Sequence, residues 1–344
     1  MSKTKSFIKN FGWPRIIIFM FLVLLFIAAP FFGVREDMSF NDVIVRFGMN
    51  AVMVLAMVPM IQSGCGLNFG IPVGLVSGLC GAVMSLEFNL TGMIGILAAF
   101  GIAIVIAAIL GFGYALLLNR VKGDEMIIAT YVGYSFVFFM NMMWLVLPFR
   151  NPASVQGFKG EGLRVTISIQ NYWYHQISNF LAIKVNNNFI IPIGMILFFA
   201  FMSFLVWGFF RTKIGTAITA VGSNPDFARA AGINVNRMRT VSVVLSTIIA
   251  AIGMIIYQQS FGFIQMYNAP LAFVFPSVAA ILLGGASVNK ASIPNVIIGT
   301  ILFQGILTMT PSVINSAIKI DVSETLRIIV TNGLIVYALT RKAR

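Results

Sequence analysis

Neutral polar side chains gather at three places in an otherwise apolar chain. Gln62, Ser63, Asn68 and Ser77 surround a glycine-rich stretch, and Asn141 and Trp144 lie near the end of an apolar run. Gln258, Gln259, Ser260, Gln265, Tyr267 and Asn268 crowd one short interval. Amides and hydroxyls both donate and accept hydrogen bonds, and aromatic faces add apolar contact area. Such a set suits a small, polar, uncharged solute, a simple sugar or a nucleoside. Gln62, Asn68, Asn141, Trp144, Gln258, Gln259, Gln265 and Asn268 are therefore candidates for a solute pathway. The same side chains could equally join helices to one another or meet lipid headgroups, because amides buried in lipid need partners.

A second kind of chemistry is concentrated from Arg211 to Arg239. Five basic residues (Arg211, Lys213, Arg229, Arg237 and Arg239) stand there against one acid, Asp226. Ser223 or Asn224 can serve as N-cap, with Pro225 at the first helical position, Asp226 in the first turn and Gly232 just past the end. That predicts a helix of about two turns, roughly 10 Å long. Phe227, Ala230 and Ala231, at i, i+3 and i+4, would form a small apolar ridge on it. Asn234 can cap the helix that follows. So short a helix has no stability of its own in water, and needs flanking segments or a docked partner to hold it.

Catalytic chemistry is not indicated. His175 is the single histidine, which argues against a histidine-based metal site. The ten acidic residues fall in loops except Glu87, which sits at the end of an apolar run, so no carboxylate pair or proton relay is expected within the spans. The chain has no phosphate-binding G-x-x-x-x-G-K-[ST] motif and no TVGYG filter. Cys65 and Cys80 would be about 22 Å apart on a continuous helix, too far to bridge. No catalytic residue, metal site or cofactor is assigned to this chain.

Composition dictates what must position these groups. The 344 residues are 59% hydrophobic and 10% charged, with a mean hydropathy of +0.94, where a soluble domain carries about 25% charged residues. The fold class is all-α, a polytopic membrane protein. Apolar runs predict about ten spans, with approximate bounds 16–32, 43–61, 64–81, 91–118, 126–147, 189–210, 240–258, 271–287, 293–310 and 326–339. The first lacks a small-residue cleavage site and reads as an uncleaved span. Asp42 belongs to a polar loop before the second. The third contains six glycines and Pro72 between Gly64 and Gly81, which fits either a discontinuous helix broken near Asn68 or a tightly packed one.

The segment 148–188 is polar and aromatic and is expected to be partly helical at the membrane surface. Fifteen of the 23 basic residues, Lys3, Lys5, Lys9, Arg15, Arg120, Lys122, Arg211, Lys213, Arg229, Arg237, Arg239, Lys290, Arg341, Lys342 and Arg344, fall on the amino-terminal side. The positive-inside rule then makes both termini and 211–239 cytoplasmic and 148–188 extracytoplasmic. It also accounts for the net charge of +13 without a nucleic-acid partner.

Three stretches carry a family resemblance: GSNPDFARAAGINVNRMR (Gly222 to Arg239), AAILLGG (Ala279 to Gly285) and GLNFGIPVGLVSGLCGAV (Gly66 to Val83). With them, nearly the whole chain resembles a membrane-spanning permease subunit of a bacterial ABC importer. It is similar to the ribose, galactose and nucleoside permeases and, more distantly, to the branched-chain amino acid permeases. The resemblance implies that residues 1–344 form one transmembrane domain of the cytoplasmic (inner) membrane. It implies a partner ATP-binding subunit holding ATP and Mg, an extracytoplasmic solute-binding protein, and a second permease copy or paralogue around a shared pathway.

It also implies that the short helix is a coupling helix seated on the ATP-binding subunit. Gly222, Asn224, Phe227, Ala228, Ala231, Gly232 and Ile233 fall in the region of the family's Gly-x-Asn-x-x-Ala-x-x-x-Gly-Ile pattern. Asn224, Pro225, Asp226, Phe227, Arg229, Ala231 and Gly232 are the positions taken to couple. The Glu-Ala-Ala signature of the broader importer class is replaced by Ala-Arg-Ala-Ala-Gly. Asn68 is similar to the nucleoside permeases, whereas Leu282-Leu283-Gly284-Gly285-Ala286-Ser287 is similar to the sugar permeases, so the solute stays open between the two. A branched-chain amino acid is the alternative solute, weakened by the lack of a charged pair in the spans. An ATP-independent secondary carrier is the alternative of another class; the broken segment fits it loosely.

Overall fold

The computed structural model describes residues 13–121, 123–155, 162–186, 189–318 and 322–340. Lys3, Lys5, Lys9, Lys122, Arg341, Lys342 and Arg344 lie outside them. The described chain is mostly helical: α1 Trp13–Ala28, α2 Glu36–Leu55, α3 Met57–Gln62, α4 Pro72–Glu87, α5 Gly92–Arg120, α6 Glu125–Val146, α7 Ile193–Arg211, α8 Lys213–Ser223, α9 Pro225–Ala230, α10 Val235–Phe261, α11 Val274–Leu283, α12 Ile293–Ile318 and α13 Ser323–Thr340. Among the described residues, six helical runs are long and apolar enough to cross a membrane: 36–62, α5, α6, α7, α10 and α12. Four shorter apolar helices lie within 16–28, 72–87, 269–283 and 328–337, where the sequence predicts the remaining spans.

Glycine and alanine set how the central helices pack. Along α5 the buried positions Gly95, Ala99, Ala103, Ala107 and Gly111 recur every four residues, while Ile94, Leu97, Val105, Ile109, Phe112 and Leu116 are exposed on the other side. In lipid, the apolar face need not be hidden, and the small residues let backbones approach. A Cβ on Gly81 of α4 would stand 2.5 Å from the Ala99 carbonyl oxygen, and one on Gly74 or Gly78 would stand 2.5 Å from a carbonyl of α10. So α4, fully flanked by α5 and α10, is held at backbone contact on two sides. A second layer packs α1 against α12 through Leu22, Leu25, Leu302, Ile306 and Met309.

The third apolar segment is both of the things its glycines allow. Residues 63–71 are irregular, with Gly64 and Gly66 at φ +74° and +78°, and α4 begins only at Pro72. Gly74, Gly78 and Gly81 then serve close packing. A break also interrupts the preceding run. Pro59 has no N–H to give Leu55, and the helix from Glu36 yields at Ala56 before continuing as α3.

The segment after α6 differs from expectation. Its described residues carry no helix; they form turns and two small antiparallel pairings, β1 Thr166–Ser168 with β4 Phe263–Gln265, and β2 Ile183–Asn186 with β3 Phe189–Ile191. The cause is tertiary. Trp173 is fully buried, Gly92 N–H donates to Tyr172 O at 2.7 Å, and the Glu87 carboxylate accepts from the N–H groups of Arg150 and Asn151. Backbone groups satisfied by neighbouring helix ends do not need a helix of their own.

Candidate functional site

At one end of the bundle, α8 to the start of α10 make a compact hairpin. Thr212 caps α8 by accepting from Gly215 N–H, and this helix is an addition to the single short helix that the sequence predicts between Arg211 and Arg239. The Asn224 side chain, and not that of Ser223, caps α9, accepting from the N–H groups of Asp226 and Phe227 at 3.1 and 3.0 Å. Pro225 opens the helix, and Gly232 follows its end at φ +81°. Asn234 caps α10 by accepting from Arg237 N–H. Val221, Ala228 and Val235 close a small core beneath. Outward, Phe227 is 69% exposed, with Ala230 and Ala231 exposed beside it. Arg229 pairs with Asp226 at 2.9 Å on the surface, where such a pair adds little stability.

Asn68 has a joining role. It is fully buried; its Nδ2 donates to Ser246 Oγ at 2.8 Å, and its Oδ1 accepts from the Tyr114 hydroxyl at 3.1 Å. Ser246 in turn donates to the Ala56 carbonyl at the break between α2 and α3. One polar chain thus ties α5, the irregular segment, α10 and the kink together. Gln62 likewise donates to the Ala291 carbonyl between α11 and α12.

The interval 258–268 does not converge on one point. Gln259 is buried and holds the segment after α6, its Oε1 accepting from Ile177 and Ser178 N–H and its Nε2 donating to Ser178 Oγ. Gln258 is buried on a different face of α10, with both amide atoms lacking a partner among the described residues. Asn141 donates to Asn268 Oδ1 at 2.9 Å, and Trp144 is packed against Phe149 with 1% exposure. Of the eight pathway candidates, only Gln265 lines the cavity at this end of the bundle. Beside Gln259, His175 packs against Tyr174, and partial burial pushes its pKa below the ordinary histidine value.

That cavity, about 520 Å³ and half open, lies between α2, α12, α13 and the stretch from Tyr257 to Pro276. Asp42, Arg46 and Asn50 line it at successive turns of α2, with Gln265 opposite. Gln304, Thr308 and Ser312 come from α12, Thr331 and Asn332 from α13, and Tyr257, Phe273 and Phe303 supply rings. Pro311 removes the N–H that would close the α12 ladder onto the Leu307 carbonyl at the cavity wall. The sequence predicts Asp42 in a loop and no charged pair in the spans; both are corrected. Helix α2 starts at Glu36 and runs on as an apolar span, so Asp42 and Arg46 stand one turn apart on its cavity face. Acidic residues favour a helix's first turn, and Glu36 and Asp37 occupy it.

Long apolar helices, a capped polar hairpin at one end and a polar cavity at the other are the architecture of a multi-pass membrane protein. The chain belongs to the family described as the branched-chain amino acid transport system / permease component, which it matches over residues 39–339. As a permease component of that family it is a multi-pass protein of the inner membrane. It is similar to NupB, the nucleoside ABC transporter permease protein of Lactococcus lactis subsp. cremoris (strain MG1363), at 29% identity over 142 residues. That match spans 40% of this chain and 37% of NupB. It is also similar to LsrC, the autoinducer 2 import system permease protein of Escherichia coli O157:H7, at 24% identity over 90% of this chain and 81% of LsrC. A solved metal-chelate type ABC transporter in an inward-facing conformation overlaps 94% of this chain and 98% of its own, at 11% identity and a TM-score of 0.46.

Proposed function

We propose that this chain is the ten-span permease of an ATP-driven importer, taking a sugar or nucleoside inward through the cavity beside Asp42. The observation that carries the reading is the cavity itself. Its volume of about 520 Å³ falls within the range of sites for small molecules. Its lining alternates amides and hydroxyls with aromatic rings, which suits a molecule bearing hydroxyls on one face and an apolar ring on another. A carboxylate and a guanidinium together can accept from and donate to vicinal hydroxyls. The likeness to a nucleoside permease and an autoinducer 2 permease points the same way.

The remaining parts are what membership of the permease family implies, and the hairpin and the charge distribution support them. The exposed Phe227–Ala231 ridge docks on a separate ATP-binding subunit, which holds ATP and Mg. A solute-binding protein delivers to the cavity from outside, both termini face the cytoplasm, and a second permease copy or paralogue completes the pathway. A branched-chain amino acid is a second reading, favoured by the Asp42 and Arg46 charges, which would meet an ammonium and a carboxylate.

The test is uptake by proteoliposomes carrying the chain with its co-purified ATP-binding subunit, offered tritiated adenosine, ribose or leucine. ATP-dependent uptake of adenosine or ribose, with its KM raised about tenfold in Asp42→Asn, is expected. Uptake of leucine alone would transfer the assignment to the second reading, and ATP-independent uptake by the lone chain would overturn both.

A further inference from the structure

The hairpin touches the broken third segment through bare backbone. Gly222 lies one residue before the end of α8; a Cβ there would stand 2.1 Å from the Gln62 carbonyl oxygen and 3.0 Å from Gly64 N. One added to Gly64 would stand 3.1 Å from the Gly222 Cα. From α10, Arg239 Nη2 donates to the Gly64 carbonyl at 3.4 Å and meets Glu125 Oε1, at the start of α6, at 3.0 Å. The two charged side chains are only 11% and 13% exposed. Two helices, α8 and α10, therefore touch one turn of three residues, Gln62 to Gly64, α6 reaches it through Arg239, and the cap of α9 begins two residues after Gly222.

We propose that this junction is the joint through which displacement of the docking helix moves the broken segment, with Glu125 and Arg239 as positioning residues that hold its resting arrangement. The inference rests on the docking role assigned to α9. No side chain lies between α8 and the turn, so a shift of the hairpin cannot be absorbed by rotamer changes and must pass to residues 62–64. Close-packed contacts of this kind switch between discrete arrangements rather than deforming smoothly. The turn itself is free to change: Gly64 and Gly66 already occupy left-handed conformations, and the residues after them are not held in a helix. A largely buried ion pair adds restraint, because separating its members leaves each charge without its partner.

Cys65, buried in the irregular segment next to this turn, supplies a reporter that needs no knowledge of the solute. The experiment uses the full complex with its ATP-binding subunit, in a Cys80→Ser background, and follows N-ethylmaleimide labelling of Cys65 with and without ATP plus vanadate. Trapping nucleotide is expected to change the labelling rate by roughly tenfold, the scale of a buried thiol becoming accessible. In Glu125→Gln, hydrolysis of ATP should persist while this nucleotide dependence collapses to within about twofold; Arg239→Lys, which keeps a charge and a donor, should retain part of it.

A nucleotide response equal to that of the parent protein in Glu125→Gln would overturn the proposal, as would its absence from the parent complex. Loss of the assembled complex in both variants would also overturn it, since that marks a purely structural pair. Phe227→Asp separates the two levels. If that variant still binds the ATP-binding subunit and still shows the Cys65 response, the docking role fails, whatever Glu125→Gln does.

Discussion

The hairpin and the cavity lie at opposite ends of α10, a 27-residue helix about 40 Å long, and they are built in opposite ways. Every cap of the hairpin is supplied within three residues of the group it satisfies: Thr212 to Gly215, Asn224 to Phe227, Asn234 to Arg237. The cavity takes Asp42, Tyr257, Gln304 and Asn332 from helices far apart in the chain. The hairpin is a local structure that presents an apolar side chain outward. The cavity is a meeting of distant polar groups that leaves space between them. A local device is written in adjacent letters, whereas a site made by convergence exists only after packing.

The largest effect comes from breaking the packing of α11 on α12, the helix that carries Gln304, Thr308 and Ser312 to the cavity. A Cβ on Gly299 would stand 1.8 Å from the Ala280 carbonyl oxygen, and one on Gly284 would stand 1.8 Å from that of Asn295. Both obstacles are backbone, so Gly299→Leu should cost more than about 3 kcal/mol. No monodisperse protein is expected by size-exclusion chromatography, and recovery of a stable variant would show that α11 and α12 separate easily.

Phe227→Asp attacks the other end. It places a charge on an exposed ridge, so the melting temperature should hold, while ATP-driven uptake falls by about a hundredfold, the scale of losing a central aromatic anchor of an interface. Normal uptake would remove α9 from the coupling path.

Two buried or half-buried polar residues then test the distinction between joining and binding. Asp42→Asn should raise the KM for solute by about tenfold with little change in stability, as expected for one lost charged hydrogen bond to a ligand. Asn68→Ala should do the reverse, leaving KM unchanged while costing about 1–3 kcal/mol, because Tyr114 and Ser246 lose a buried partner. If the Asn68 variant altered KM alone, the hydrogen-bonded chain would not be its main role. In the hairpin, Asn224→Ala should cost about 1 kcal/mol, the worth of an N-cap, read from thermal melts of the assembled complex.

The smallest effect concerns pH at the outer segment. Burial lowers the His175 pKa below its ordinary value near 6.5, so the folded protein takes up that proton less readily than the unfolded chain. Its contribution is complete above the ordinary value and is lost as pH falls through it toward the folded pKa. Hydrogen-exchange protection factors of residues 169–178, corrected for the intrinsic pH dependence of exchange, should therefore fall slightly on acidification, and His175→Gln should flatten that dependence.

Much of this was readable beforehand. The helix Pro225–Ala230, its cap and its glycine stop were legible because capping is an interaction between near neighbours, and the helical runs were legible because lipid demands long apolar stretches. The pathway residues were legible only as polar. Nothing in Asn68 or Gln259 says that its amide is spent on Ser246 or Ser178, since those partners are 178 and 81 residues away. Asp42 was misplaced for a related reason: a charged first turn looks like a loop until the helix it opens is seen to continue.

What the amino-acid sequence determined by itself was the membrane class, the order of the apolar segments and the short capped helix Pro225–Ala230. Each depends on composition or on spacings of a few residues, which the chain enforces whatever it packs against. Only the tertiary structure decided which polar groups are consumed in holding helices together and which are left facing a cavity. It also decided that Gly222 meets Gly64, and that Arg239 meets Glu125. Those outcomes depend on how closely helix backbones approach, and that distance is set jointly by residues far apart in the sequence.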